Sequence, residues 1–201
     1  IASGASSLND VERAIEKIMP LNNQVALLQC NTNYTGSIQN FKYINLNVLK
    51  TFKKRFPGLI LGLSDHTPGH ATVLGAIALG AKIIEKHFTD DNSLDGPDHG
   101  FSMNPITWKD MINRSRELEL SLGNGIKEIE ENEKETSILQ RRSIRTKRNM
   151  NKGEIISRDN ITVLRPCPDD GLNPYEISKI SGLKLNKDLN EGTLIKWEDL
   201  E

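Results

Sequence analysis

Two histidines, His66 and His87, each close an apolar, strand-like run, and the runs lie one βα unit apart. The first run is Leu59-Ile-Leu-Gly-Leu-Ser-Asp-His66 and the second is Ala81-Lys-Ile-Ile-Glu-Lys-His87. Neutral imidazole is a good ligand for Mn²⁺, Zn²⁺, Co²⁺ or Fe²⁺, and two protein ligands leave positions open for substrate and water. Between the runs, Pro68 to Gly80 reads as a short amphipathic helix. In a β-α-β unit the two strands are parallel and, when adjacent, about 5 Å apart. Both imidazoles then stand at the same carboxyl edge of the sheet, where α/β folds place their chemistry. Against this stands the plainer reading, in which a strand-end histidine merely caps a loop, and spacing alone does not separate the two. Asp65 and Glu85 flank the pair and are expected to orient the rings.

Three further segments carry functional groups. The loop from Thr89 to Met103 holds Asp90, Asp91, Asp95, Asp98 and His99, with Gly96-Pro97 expected to fix Asp98 at the reactive edge. An ordinary polar loop is the alternative. Asn31-Thr-Asn-Tyr-Thr-Gly-Ser37 offers amides and hydroxyls suited to a phosphate or carboxylate, a weak signal by itself. Arg165 sits in Val163-Leu-Arg-Pro-Cys167, held by the following proline, although an arginine after a strand is more often a surface residue.

The elements that position these groups follow from apolar spacing. Ile1-Ala-Ser-Gly4 reads as the end of a strand, and Leu8, Val11, Ile15 and Ile18 mark a helix to Met19 with Ser7 or Asn9 at its cap. Gln24 to Cys30 is a continuous apolar strand of the kind buried on both faces of a parallel sheet. A helix is expected over Phe41 to Phe56, and another from Pro105 to Leu122, stopped by Gly123. Strand and helix alternating at this spacing means an α/β fold. Only four strands fit before Gly123, whereas a whole (β/α)₈ barrel takes roughly 250 residues. Residues 1–122 are therefore expected to be the second half of a TIM barrel, and the natural N-terminus is expected upstream of Ile1.

Residues 123–141 are charged and poor in apolar side chains, a solvated linker with at most a helical turn. From residue 142 short strands and turns take over, and a repeat emerges at an offset of 39 residues. Ser143-Ile-Arg-Thr-Lys-Arg-Asn-Met-Asn-Lys-Gly-Glu-Ile-Ile156 aligns with Gly182-Leu-Lys-Leu-Asn-Lys-Asp-Leu-Asn-Glu-Gly-Thr-Leu-Ile195. Each copy is expected to be a strand, an Asn-x-Gly turn with positive φ at the glycine, and a second strand folded back as a hairpin. Residues 142–201 thus form a small β-rich domain near the lower size limit for independent folding.

Composition excludes several classes. The 201 residues carry a net charge of −1, which gives no electrostatic case for nucleic acid or an anionic membrane. Arg141-Arg142 is basic but lacks the aromatic interleaving of a single-strand binder. No apolar run approaches the ~20 residues of a membrane span. Two distant cysteines, Cys30 and Cys167, point to free thiols in a reducing cytoplasm.

Gly62-Leu-Ser-Asp-His-Thr67, Ile84-Glu-Lys-His-Phe-Thr89 and Gly96-Pro-Asp-His-Gly-Phe-Ser102, followed by the repeat domain, resemble the sialic acid (N-acetylneuraminate) synthases. Legionaminic and pseudaminic acid synthases are close relatives in that family, and the C-terminal residues resemble its antifreeze-protein-like (SAF, β-clip) domain. The resemblance implies a transferase that condenses phosphoenolpyruvate with N-acetylmannosamine or a related N-acylated hexose. It places the metal ligands on His66 and His87 and a catalytic aspartate on Asp98. It places substrate contacts on Thr32, Tyr34, Ser64, Asp65 and Arg165. The implied cofactor is a divalent metal, Mn²⁺ first, with Mg²⁺ or Co²⁺ as alternatives. The implied assembly is a domain-swapped homodimer in which Arg165 serves the partner protomer's sugar site. Gln29 departs from the family, standing where several relatives have His or Lys. In the family the barrel's first four strands supply a lysine of the phosphate site and a glutamate near the metal. They are not in this sequence, so part of the active site is expected to lie outside it. A noncatalytic sugar- or partner-binding module is the alternative of a different class, and a 3-deoxy-heptulosonate-type synthase would not carry the repeat domain.

Overall fold

Continuous runs of Leu, Ile and Val favour strands covered on both faces, and all three central runs become parallel strands. In the computed structural model, which describes residues 1–201, they are β1 (Ala26–Cys30), β2 (Ile60–Asp65) and β3 (Ile83–Lys86), in the order β1-β2-β3. Cys30 lies opposite Ser64, Ser64 opposite Glu85, and Asp65 opposite Lys86. The expected strand at the N-terminus survives as a single parallel bridge from Ala2 to Leu28, with Leu28 N–H donating to the Ile1 carbonyl at 2.8 Å. Strand neighbours follow chain order without reversal, the connectivity of a β/α barrel wall rather than of a doubly wound sheet. The fold is α/β.

Successive strand residues point to opposite faces, and the two faces differ in kind. Leu27, Leu61 and Leu63 pack on the helices α1 (Leu8–Ile18), α2 (Val48–Arg55) and α3 (Ala71–Ala78), through Val11, Ile15, Leu49, Phe52 and Ala76. On the other face lie Leu28, Cys30, Gly62, Ser64, Ile83 and Glu85, a mixed and partly polar surface. Helix starts follow their caps. The Ser7 side chain accepts from Asp10 N–H while Asp10 reaches back to Ser7 N–H, so Ser7 is the cap of α1. Asn104 does the same with Thr107 at the start of α4 (Pro105–Ser121), whose first residue is proline.

The helix expected over Phe41–Phe56 is broken. A 3₁₀ segment runs Ile38–Tyr43, and α2 begins only at Val48. Asn45 between them has φ 49°, a left-handed conformation that asparagine tolerates and that no α-helix can contain.

Chain contacts divide the molecule into two units, Ile1–Ile126 and Lys127–Glu201. The second opens with a 3₁₀ turn at Glu131–Glu133 and α5 (Lys134–Gln140), so this acidic stretch holds two helical segments rather than a single turn. Beyond it, β4 (Ser143–Thr146) pairs antiparallel with β5 (Ile161–Leu164), and α6 (Ile177–Ile180) follows.

The repeat is built differently from its expected hairpins. Each copy pairs with the other, around a dyad that passes between Met150 and Leu189, residues 39 apart that exchange N–H···O bonds of 2.8 and 2.9 Å. Ile195 N–H donates to the Ile144 carbonyl at 3.0 Å, and its counterpart Ile156 N–H donates to the Leu183 carbonyl at 2.9 Å. Gly192 bonds Thr146 as Gly153 bonds Leu185, and both glycines have positive φ, 75° and 83°. Ile144, Met150, Ile156, Leu185, Leu189 and Ile195 fill the core so enclosed. No helix of the chain is long and apolar enough to cross a membrane.

Candidate active site

The C-terminal ends of β2 and β3 deliver His66 and His87 side by side, their ring centres 5.1 Å apart and nearly perpendicular. The Tyr34 ring packs 4.1 Å from His66 and 5.6 Å from His87, so the loop after β1 closes over both. Phe101 lies 5.2 Å from His87. His66 is 5% exposed, and its Nδ1 is 2.8 Å from the carbonyl oxygen of Asn31. A carbonyl only accepts, so Nδ1 carries the hydrogen and Nε2 is the lone-pair atom of the neutral ring. His87 Nδ1 is 3.4 Å from Asp98 Oδ2, an approach without hydrogen-bond geometry, and a hydrogen on Nδ1 there would likewise leave Nε2 as the donor atom.

These two nitrogens suit a borderline divalent cation, the donor type that first-row metals accept from imidazole. No group of three or more His, Cys, Asp or Glu side chains converges to hold a metal by itself. A cation at the pair would therefore take its remaining ligands from substrate, water or groups outside this chain.

The loop that carries Asp98 is knit internally. Asn92 donates to the carbonyls of His99 at 2.7 Å and Ser102 at 2.9 Å, and Ser102 Oγ donates to the Asp98 carbonyl at 2.7 Å. His99 Nδ1 meets Thr89 Oγ1 at 2.8 Å, tying the loop tip to its root. The loop after β1 leans on this one through Gly36, where a Cβ would sit 2.4 Å from Phe101 Cβ and where φ is +60°. Only glycine meets both conditions.

Ser64 lies one residue pair below the histidines on the same face, its hydroxyl donating to Glu85 Oε1 at 2.8 Å. Glu85 therefore holds Ser64 and does not orient an imidazole. Thr32 and Asn31 line a cavity of about 780 Å³ at the end of β1, with Ser3, Gln29, Cys30 and Tyr34 among its other walls. Gln29 is tied down on both sides, accepting from Ser3 Oγ at 3.1 Å and donating to the Ile44 carbonyl at 3.0 Å.

Asp65 is elsewhere. Its side chain is fully buried on the helix side of β2, where it meets Lys86 Nζ at 2.6 Å, Thr72 Oγ1 at 2.7 Å and Thr67 Oγ1 at 2.9 Å. Alternation along the strand is the cause: Ser64 and His66 face the cleft, so Asp65 between them cannot. It neither orients a histidine nor reaches the cleft that a substrate would enter. Sequence reasoning missed Lys86, Thr72 and Phe101, and Asn31, expected to offer its amide to a ligand, holds His66 through its backbone carbonyl. For Lys86 a signal existed, a lysine in a short strand directly before a histidine.

Arg165 belongs to the second unit, where Nε donates to the Gln140 carbonyl at 2.7 Å and the rest of the guanidinium is free. Cys30 and Cys167 are both buried free thiols. Burial pushes the Cys30 thiol above its ordinary 9.0, and the nearby Glu85 and Asp65 charges push it the same way. Cys30 is expected to react with iodoacetamide at pH 8 on the order of tenfold slower or more than a solvent-exposed cysteine, because exposure and thiolate fraction both fall. Mass-spectrometric labelling kinetics check this, and labelling at the rate of a free thiol would contradict it.

Residues 1–127 match the NeuB family and residues 141–201 match the SAF domain. The N,N'-diacetyllegionaminic acid synthase of Legionella pneumophila is 39% identical over 206 residues, covering 100% of this chain and 56% of that protein. The protein of the same name from Campylobacter jejuni is 33% identical, covering 98% and 58%. Among solved structures, spore coat polysaccharide biosynthesis protein SpsE of Bacillus subtilis superposes with a TM-score of 0.54 at 32% identity, covering 100% of this chain and 60% of that one. The chain spans a little over half the length of each of these relatives. With its α/β unit and its repeat unit each matched in turn, the chain belongs to the NeuB family.

Proposed function

We propose that the full-length protein condenses phosphoenolpyruvate with an N-acylated hexose to give a nonulosonic acid and inorganic phosphate. The observation that carries this reading is the His66–His87 pair, two imidazoles side by side at one sheet edge with His66 held through Nδ1, in a segment that matches the NeuB family. His66 and His87 would hold a divalent metal, Mn²⁺ by preference. Bound there, such a cation supplies Lewis acidity to the aldehyde oxygen of the acceptor sugar.

The chain's own residues then divide the remaining work. Tyr34, packed on both imidazoles, fixes the acceptor's approach and excludes water from one side of the pair. Asp98 Oδ2, near His87 Nδ1, accepts hydrogen bonds from sugar hydroxyls and takes or returns a proton there. Thr32 offers a neutral hydrogen bond to the enol phosphate at the wall of the cleft, and Ser64, its hydroxyl hydrogen held by Glu85, lines the floor. Carbon 3 of the enol attacks the aldehyde, water adds at carbon 2, and phosphate leaves. Arg165, with most of its fork free, donates paired hydrogen bonds to the acceptor's N-acyl carbonyl or hydroxyls in the partner protomer of a swapped dimer.

The names of the two legionaminic relatives favour an acceptor with two N-acetyl groups. The test is phosphate release and product mass with the full-length protein, phosphoenolpyruvate and Mn²⁺. The acceptor panel holds mono- and di-N-acetyl hexoses, with and without a 6-phosphate. A condensation product with at least one acceptor is expected, and phosphate release with none of them would end the reading.

A further inference from the structure

The sheet face opposite the histidines holds a buried ion pair that no step of the proposed chemistry uses. Lys86 Nζ and the Asp65 carboxylate meet at 2.6 Å with side chains 2% and 0% exposed. Asp65 directly precedes His66, Lys86 directly precedes His87, and the two are register partners across β2 and β3. The same ammonium also donates to the carbonyl oxygen of Thr67 at 2.6 Å. One side chain thus grips the carboxylate before His66 and the backbone after it, while itself belonging to the residue before His87. Thr67 and Thr72 hydroxyls complete the carboxylate's partners, and Thr72 anchors the cluster to α3.

Stability alone is a poor reason for this pair. Desolvating two charges costs much of what their attraction returns, and apolar residues of similar volume often replace such pairs without loss. Register is a better one. β2 and β3 share only four residue pairs, and of the β3 residues only Ile84 packs into the apolar core, Ile83 being 39% exposed. A short, weakly anchored strand is prone to slip, and a slip of one residue turns every side chain to the other face. With Lys86 paired, a slip leaves two buried charges without partners, which is strongly unfavourable.

We propose that Asp65 and Lys86 are positioning residues that lock the register of β2 and β3, and thereby the relative placement of the two imidazoles. The inference rests on the two-histidine metal reading only for its second readout. The variant is Asp65→Leu/Lys86→Met in the full-length protein, which removes both charges and keeps the branching and approximate length of each side chain. The first readout is the ¹⁵N spectrum of the imidazoles without metal. The unchanged protein should show His66 as a single Nδ1–H tautomer, and the double variant a mixture. The second readout is Mn²⁺ binding by electron paramagnetic resonance, expected to weaken about 10–100-fold, the range for residues that orient a ligand. Thr72→Val, which loosens the carboxylate and leaves the charges paired, should weaken it about 3-fold and covers the case in which the double variant does not fold. Phe52→Leu, in the core on α2, is the stability control and should leave both readouts unchanged. A double variant with an unaltered His66 tautomer overturns the proposal whether or not the protein binds Mn²⁺. Failure of the unchanged protein to bind Mn²⁺ overturns only the metal reading.

Discussion

Alanine at His66 is expected to weaken Mn²⁺ binding by the full-length protein at least ~100-fold. Residues that merely orient a ligand cost 10–100-fold when removed, and loss of a ligand must exceed that. The effect is not a folding effect in disguise. His66 is nearly enclosed, and its loss leaves the Asn31 carbonyl without its partner and a small void. That costs about 1–3 kcal/mol, a drop in Tm of several degrees and no more. His87 is more open, touching Tyr34, Phe101 and Asp98, so His87→Ala should lose the metal as completely and Tm by less. Asp98→Asn keeps the shape and removes the charge near His87 Nδ1, so about tenfold weaker binding is expected. Calorimetric titration with Mn²⁺ beside thermal unfolding separates the effects. Undiminished Mn²⁺ affinity in His66→Ala would dispose of the metal site.

How the site arises explains which parts of it the sequence shows. The three strands are legible because Gln24–Cys30, Leu59–His66 and Ala81–His87 are each built on consecutive apolar residues, Val25 to Leu28, Leu59 to Leu63 and Ile83-Ile84, and such runs between polar segments favour a buried strand. The histidine pair is legible for the same reason, since strand ends in a parallel sheet meet at one edge. Asp65 shows the limit. Adjacency in sequence put it with His66, while the pleat put it on the opposite face with Lys86. The alternation was there to be read, from Leu61 and Leu63 inward to the helices and Gly62 and Ser64 outward to the cleft.

Other features depend on pairing that local spacing does not encode. Phe41, Ile44, Val48 and Phe52 keep helical spacing straight through the break at Asn45, so periodicity predicts one helix where two segments form. The tilt of Tyr34 onto both imidazoles comes from a loop whose course is set by Gly36 against Phe101, residues 65 apart in the chain. In the second unit, the repeat announces two equivalent halves without saying which strands join. Local hairpins would close shorter loops. The dyad instead encloses one shared core, which two separate hairpins could not bury.

That shared core makes a quantitative demand on stability. Ile156 and Ile195 are dyad mates, 1% and 0% exposed, and each donates its N–H to the corresponding carbonyl of the other copy. Ile156→Ala and Ile195→Ala should each lower the unfolding free energy by about 2–5 kcal/mol, the range for emptying a buried isoleucine site. The unit runs only from Lys127 to Glu201, and a domain of that size holds roughly 4–11 kcal/mol in all. Either substitution thus removes a large share of it. Because the dyad gives both side chains matched surroundings, the two losses should agree within about 1 kcal/mol, the scatter usual for one chemistry at comparable sites. Urea unfolding followed by Trp197 fluorescence, in a Trp108→Phe background that silences the first unit, measures each loss separately. A loss of several kcal/mol at one position beside less than ~1 kcal/mol at the other would mean that the repeat persists in sequence while only one copy carries the core.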